Sequence, residues 1–321
     1  MSVFVAEELS EVLNTKVVIG RINMGLLNRI IIDDVLLDDQ SGQEMLKVTR
    51  LSAKFDIMPF FKGKISISSV QLFGFNINLR KETPDSPPNF KFVLDAFASK
   101  DTVKKENSLD LRINSILIRR GRMSYHVLSE EETPGKFNAK HIQLQNIIAN
   151  ISLKALSKDS LNLGIKRLSL DEKASGFSLK KMSLKLVANN KQTNIDNFTI
   201  ELPETSLKLD TIHLEYDSLK AFDRFTEQVH FSFRTLPSQV TLKDISPFVP
   251  ILSHFKEPVT LDMEVKGTVD QLTCSHLEIT ADDRQFRLRG DVSLQDLSRP
   301  QDAYVYGTLS ELSANTRGVG F

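Results

Sequence analysis

Tryptophan is absent from this chain, cysteine occurs once, and tyrosine occurs four times against 20 phenylalanines. A single cysteine excludes an intrachain disulfide, so the fold is held noncovalently. Within the strand-like run from Leu272 to Thr280, Cys274 reads as a small buried hydrophobe. Phenylalanine has no polar handle, and its dominance favours purely apolar surfaces. Excess charge is also missing, with 41 basic residues against 41 acidic ones. A nucleic-acid binder usually carries a basic surplus, so that partner class is set aside. No run approaches the ~18 apolar residues of a membrane-crossing helix. Met1 to Phe4 leads into Glu7 and Glu8 without the basic segment that opens a signal peptide. The expectation is a cytosolic chain or a soluble piece of a longer one. The open ending from Asn315 to Phe321 favours the piece.

Catalytic signatures are missing as well. The six histidines (His126, His141, His213, His230, His254 and His276) form no HExxH motif and no Cys/His cluster. No close pair on one strand face is expected among them, so metal ligation is not predicted. There is no G-x-S-x-G elbow. Gly63-Lys64-Ile65 lacks the other residues of a phosphate-binding loop. Asp33-Asp34 and Asp38-Asp39 lack the spaced oxygens of a calcium loop and read as solvated turns. Arg119-Arg120-Gly121-Arg122 reads as a hairpin turn with solvated charges, with an anionic-headgroup site as the lesser alternative. Asn150-Ile151-Ser152 and Asn197-Phe198-Thr199 match the glycosylation sequon but lie in strand-like runs. No enzyme activity and no cofactor are expected.

What the chain does have is alternation. Ile65-Ser66-Ile67-Ser68 and Phe75-Asn76-Ile77-Asn78-Leu79 each repeat with period two, the pattern of a strand with one apolar face. The stretch Val17–Arg80 sets this theme, with strands near 16–23, 29–38, 45–57 and 64–80. Asp38 to Gln43 forms a loop by composition, and Met58 to Gly63 interrupts the pattern at Pro59. Strand blocks recur over 109–156, 160–216 and 259–294. In the second, Ile142, Leu144, Ile147 and Ile151 are apolar. Short helices are predicted at 3–14, with Val5, Leu9, Val12 and Leu13 on one face, and at 90–99. Two more are predicted at 217–227, with Leu219, Phe222 and Phe225 on one side, and at 244–252, capped by Asp244 or Ser246. The whole reads as mainly β, with about 18 to 22 strands in antiparallel order because connections are short. A loose repeat of roughly 45–55 residues points to an elongated, quasi-one-dimensional antiparallel β-sheet, whose apolar face lines an open groove if the sheet curls without closing. One domain is expected over 16–321, broken by loops near 82–108 and 217–258, behind an N-terminal helix at 1–15.

Several blocks carry a resemblance. They are VVIGRINMGLLNRIIIDDVLLDDQSGQEMLKVTRL at 17–51, KGKISISSVQLFGFNINLR at 62–80 and LRINSILIRRGRMSYHV at 111–127. Two more lie at 175–216 and 259–294. In their order they resemble the AsmA-like superfamily, and within it the TamB type of translocation and assembly module protein. The motifs are degenerate strand patterns, and together they cover most of the chain. The resemblance implies an inner-membrane anchor preceding residue 2, an extended periplasmic sheet curled into an apolar trough, and phospholipid moving toward the outer membrane. It also implies a role in outer-membrane protein assembly with a β-barrel partner. This chain departs from the pattern by lacking the anchor and by being far shorter, which puts the barrel contact in doubt. No catalytic residues carry over.

The function expected is therefore a passive, non-enzymatic lipid groove. Its candidate lining is Ile65 and Ile67, then Phe75, Ile77 and Leu79 in the first block. Further along it is Leu207 and Leu209, then Leu261, Met263 and Val265. Which alternate set faces inward is open at this point, because a one-residue register error inverts the answer. A scaffold or chaperone holding polypeptide in the same groove is the alternative, and a closed β-sandwich used for adhesion is a third.

Overall fold

Alternating residues joined by short polar turns dictate hairpins, and hairpins dominate the computed structural model. It describes residues 2–26, 28–55, 67–98, 114–156, 160–254, 257–281, 286–299 and 302–315. The fold is mainly β: seventeen strands in one mostly antiparallel sheet of sequential hairpins, with a few short helices. The chain divides into two compact units, one of residues 1–152 with 169–177 and one of 153–168 with 178–321.

The first unit opens on helix α1 (Ser2–Leu13). Strands β1 (Val17–Gly25), β2 (Arg29–Asp38), β3 (Glu44–Phe55) and β4 (Ile67–Lys81) follow as antiparallel neighbours. Helix α2 (Lys91–Ala98) precedes β5 (Ser115–Val127), which pairs with β4 in parallel. The expectation of purely antiparallel order fails here. The connection from Lys81 to Ser115 is long enough to return the chain to the starting end of the sheet, as parallel pairing requires. Strand β6 (His141–Leu156) is antiparallel to β5, and the end of β7 (Ser160–Glu172) completes the unit.

Helix α1 packs through Ala6 and Leu13, with Val5 beside them, and leaves Leu9 and Val12 exposed. That face is rotated from the predicted one because Ser10 turns toward the sheet. Its hydroxyl donates to the Ala6 carbonyl at 2.7 Å and accepts from the Val17 amide at 3.0 Å. Asn14 closes the helix in the left-handed region (φ 49°), as its type favours. Phe90, Phe92, Val93 and Ala96 around α2 join α1 over Val17, Ile19, Leu37 and Met45. The two helices thus cover one end of the apolar face.

The second unit runs through β8 (Ser178–Asn189) and β9 (Gln192–Glu201). Strand β9 pairs in succession with β10 (Ser206–Leu209) and β11 (Ile212–Glu215). Likewise β12 (His230–Arg234) and β13 (Ser238–Thr241) both pair with β14 (Pro258–Gly267). Strands β15 (Gln271–Ala281), β16 (Phe286–Gln295) and β17 (Tyr304–Ala314) continue as hairpins. The helix expected over 217–227 is a 3-10 turn, Leu219–Arg224, followed by one α turn, α3 (Phe225–Gln228). Ala221 packs there with Tyr216 and Val229, while Leu219, Phe222 and Phe225 stay exposed. The segment expected to be helical over 244–252 is two 3-10 turns, Leu242–Ile245 and Pro250–His254. Asp244 accepts the Glu204 amide at 2.9 Å instead of capping its own turn.

Candidate functional site: one apolar face kept in phase

Residues directly opposite across a ladder share a face. In the first unit Val17 faces Leu37, Ile19 faces Val35, Val48 faces Phe75 and Leu46 faces Ile77. Farther along the same strands Ile22 faces Ile32, Leu51 faces Leu72 and Ala53 faces Val70. The apolar set changes parity in mid-strand: odd to even in β1, even to odd in β3. Strict period two would send the second set to the opposite side. Instead Leu51 and Leu72 pack with Val48 and Phe75, and Ile22 and Ile32 pack with Val17 and Ile19.

A left-handed residue in β2, β4, β5 and β6 accounts for this, and in β1 and β3 the switch positions Gly20 and Thr49 stand opposite one. Asp34 (φ 57°), Gly74 (φ 65°), Arg120 (φ 56°) and Asn146 (φ 55°) sit in the middle of β2, β4, β5 and β6. The registers on either side set Gly20, Asp34, Thr49 and Gly74 in one row across β1 to β4. The backbones crowd there: a Cβ on Gly74 would lie 2.7 Å from Thr49 Oγ1, and one on Gly20 would lie 3.0 Å from Asp34 Cβ. In β5 the apolar set passes from Ile116 and Ile118 to Met123, and in β6 from Leu144 to Ile147 and Ala149. Both strands slip by one residue there, so the slips cancel. Phe75 lies over Gly121, where a Cβ would be 2.4 Å from its ring, and this cover leaves Phe75 only 7% exposed. The second unit repeats the device. Asn197 (φ 53°) switches β9 from Ile195 to Phe198, and His276 (φ 51°) switches β15 from Cys274 to Leu277. Each irregularity bends its strand and raises its twist.

Of the predicted lining, Phe75, Ile77 and Leu79 follow one another on a single face of β4. Ile67 is half-buried beyond a further register shift at Ser68. Ile65 lies outside the described residues, as do Phe60 and Phe61. In the second unit Ser206 faces Gln239 and Gln239 faces Thr260, so Leu207 and Leu261 share the other side. Leu209 faces Phe198, and Val265, 3% exposed, faces Cys274. Met263 sits where β14 is irregular. Buried Thr235 holds it there, donating its amide to the Met263 carbonyl at 3.0 Å and accepting the Met263 amide on Oγ1 at 2.8 Å. Beyond the helices most of the apolar face is half-exposed: Ile30, Leu51, Leu72, Ile116 and Ile118 in the first unit, Leu207, Leu261 and Met263 in the second.

The opposite face carries the charges, beside exposed Val18 and Phe73. Asp33 is buried in β2 and accepts Arg50 Nε at 2.6 Å, and that bond holds its carboxyl below the usual range. Arg287 and Arg289 each reach both Glu278 and Glu311. These placements correct two sequence expectations. Asp33-Asp34 is a strand segment, not a solvated turn, because Arg50 compensates the buried charge. Arg119 to Arg122 is mid-strand, and Arg120 stacks 5.2 Å from the Phe73 ring centre.

Two hairpins are locked by buried carboxylates. Asp39, also expected to be solvated, accepts the amides of Ser41 and Gln43 and the side chains of Ser41, Arg80 and Asn89. Glu172 accepts the amides of Gln143, Ala174 and Ser175 and the Ser175 hydroxyl. Burial pushes both carboxyls up, but the hydrogen bonds outweigh it and the net shift is down. Cys274 is buried as expected, which pushes its thiol up and away from reactivity.

The expectation that no two histidines form a close pair is overturned. His126 and His141 stand directly opposite on β5 and β6, with Nδ1 to Nδ1 at 3.0 Å. Their separation in sequence hid the pairing, which only the β5–β6 register creates. No protein family, curated protein or solved structure matches the chain, so function is argued from this geometry.

Proposed function

We propose that the chain is a non-enzymatic β-track that shields phospholipid acyl chains along its apolar face and conducts them passively. The observation that carries this reading is the mid-strand phase switch. Four strands of the first unit hold a mid-strand residue in the left-handed region, and apolar side chains on either side of each pack into the clusters on one face. A non-glycine residue in that conformation costs about 1–2 kcal/mol. Such a cost in several strands of one unit is consistent with selection for an apolar face kept in phase along each strand. The half-exposure of that surface supports the same reading, since a second sheet packed against it would bury it. Each methylene laid on such a face gains about 0.8 kcal/mol, which favours acyl chains of any headgroup. The resemblance to AsmA-like proteins points the same way and sets the proposed location in the bacterial periplasm, with the membrane reached through an anchor and a β-barrel partner reached through other parts of a longer protein.

Native mass spectrometry of the purified chain tests the reading. Phospholipid adducts that survive desalting and are displaced by added lipid are expected. A protein that stays lipid-free after incubation with vesicles would refute it, and binding of an unfolded barrel protein in its place would favour the chaperone alternative.

A further inference from the structure

Away from the apolar face, the β5–β6 hairpin gathers two imidazoles and a carboxylate. His126 and His141 face each other across the ladder, and Glu132 comes from the loop that joins the two strands. Among the described residues these are the group able to hold a metal ion, with one ligand atom from each lying within 4.8 Å of the others. His141 is 7% exposed, and its Nε2 lies 2.9 Å from the Glu130 carbonyl oxygen. A carbonyl can only accept, so that nitrogen carries the hydrogen. In the neutral ring His141 Nδ1 is then a bare lone pair, aimed at His126 Nδ1 3.0 Å away. The hydrogen between the two rings belongs to His126. Glu132 Oε1 stands 3.9 Å from the same His126 nitrogen.

We propose that His126 Nδ1, His141 Nδ1 and the Glu132 carboxylate form a Zn²⁺ site, with water completing a tetrahedron. Two donors on a tetrahedral zinc at ~2.0–2.1 Å stand about 3.4 Å apart, so the rings need to part by only a few tenths of an ångström. The Glu130 carbonyl already fixes the His141 tautomer, the outer-shell support that zinc-bound imidazoles use. Zinc replaces the bridging hydrogen: the His126 Nδ1–H bond breaks, Nε2 takes a proton from solvent so that the ring stays neutral, and an N–Zn bond forms with no net proton release. An open cavity of about 190 Å³, lined by Glu132, Asn138 and His141 among others, gives access. The neighbouring charges leave room for a cation. Lys140 is paired with Glu130 at 2.7 Å, and Arg80, opposite His126 on β4, is held by Asp39. Among the residues lining the cavity, Lys173 is the cation set against the metal. Two imidazoles and one carboxylate suit zinc, which imposes no geometric preference of its own.

Titration of the full chain with Zn²⁺ by calorimetry, and with Co²⁺ by visible absorption, tests the site. One ion per chain at micromolar affinity is expected, with the Co²⁺ spectrum of a four-coordinate nitrogen and oxygen site and a melting temperature raised by Zn²⁺. His126→Ala should abolish binding. Glu132→Gln alters a side chain that is 62% exposed, so folding is spared, and it should weaken binding at least about tenfold. No Zn²⁺ binding below about 100 μM, or affinity unchanged in either variant, overturns the assignment.

Discussion

Three changes at Asn146 separate the phase-switch account from a mere tolerance of irregular strands. Asn146 is the left-handed residue of β6 (φ 55°), and its side chain donates to Asp171 at 2.8 Å on the exposed surface. Glycine accepts that backbone freely, so Asn146→Gly forfeits only an exposed hydrogen bond and should shift stability by less than about 1 kcal/mol. Valine does not accept it, and Asn146→Val should cost about 1–2 kcal/mol through backbone strain. Deleting Asn146 restores strict alternation, which is the informative case. Ile147, Ala149 and Ile151 would then turn to the polar side, and Ile148, Asn150 and Ser152 would turn to the apolar one. Ile147 and Ala149 are both buried now, Ala149 to 2% exposure. Exposing Ile147 and Ile151 while Ile148 turns inward loses about 1.5–3 kcal/mol net, and burying Asn150 and Ser152 without partners adds about 1–3 kcal/mol each. The sum approaches the ~5–15 kcal/mol that holds an ordinary domain. Urea unfolding followed by far-ultraviolet circular dichroism reads the midpoints. The expected order is parent and glycine variant together, valine variant lower, deletion lowest or unfolded. A deletion variant as stable as the glycine variant would refute the reasoning.

Other expectations follow from single contacts. Gly121→Ala sets a methyl where the Phe75 ring lies and should cost about 1–3 kcal/mol in the same urea assay, with partial recovery when Phe75→Leu is added. No recovery would mean that the ring is not the obstacle. Glu172→Gln should cost about 1–3 kcal/mol at neutral pH, because charge-assisted bonds from three amides are weakened. The parent should also weaken in acid. Asp39 and Glu172 are held below their ordinary 3.8 and 4.5 in the folded state. Their contribution is therefore complete above that range and is lost as pH falls through the lowered folded values. Urea midpoints should be flat from neutral pH to about pH 5 and fall below it, and Glu172→Gln should have a shallower fall. An acid profile identical to the parent's would contradict the role given to Glu172.

Much of the architecture was legible because it rests on local rules. Period-two alternation located the strands, and the loop at Asp38 to Gln43 was readable from composition. The phase switches were not read, although their trace is in the sequence. Ile142 and Leu144 are even, Ile147 and Ile151 are odd, and Asn146 between them is one of the few types that accept a left-handed backbone. His276 is also of a type that accepts that backbone, whereas Arg120 carries no such signal and only its neighbours' parity betrays it. The parallel β4–β5 pairing escaped because connection length alone does not say which strand end the chain returns to. Asp33, Asp39 and the His126–His141 pair were misread for a common reason. Their partners Arg50, Arg80 and the opposite histidine are distant in sequence, and strand register alone brings them together.

The central claim is that one face of this sheet receives acyl chains and the other does not. Photo-crosslinking amino acids at Ile77 and Leu207, each on the apolar side of its own unit, and at Lys47 and Lys208, exposed on the opposite side, test it directly against vesicles of labelled phospholipid. The account predicts lipid adducts at Ile77 and Leu207 and none at the two lysine positions. Equal labelling of all four, or labelling confined to the lysine positions, would contradict it.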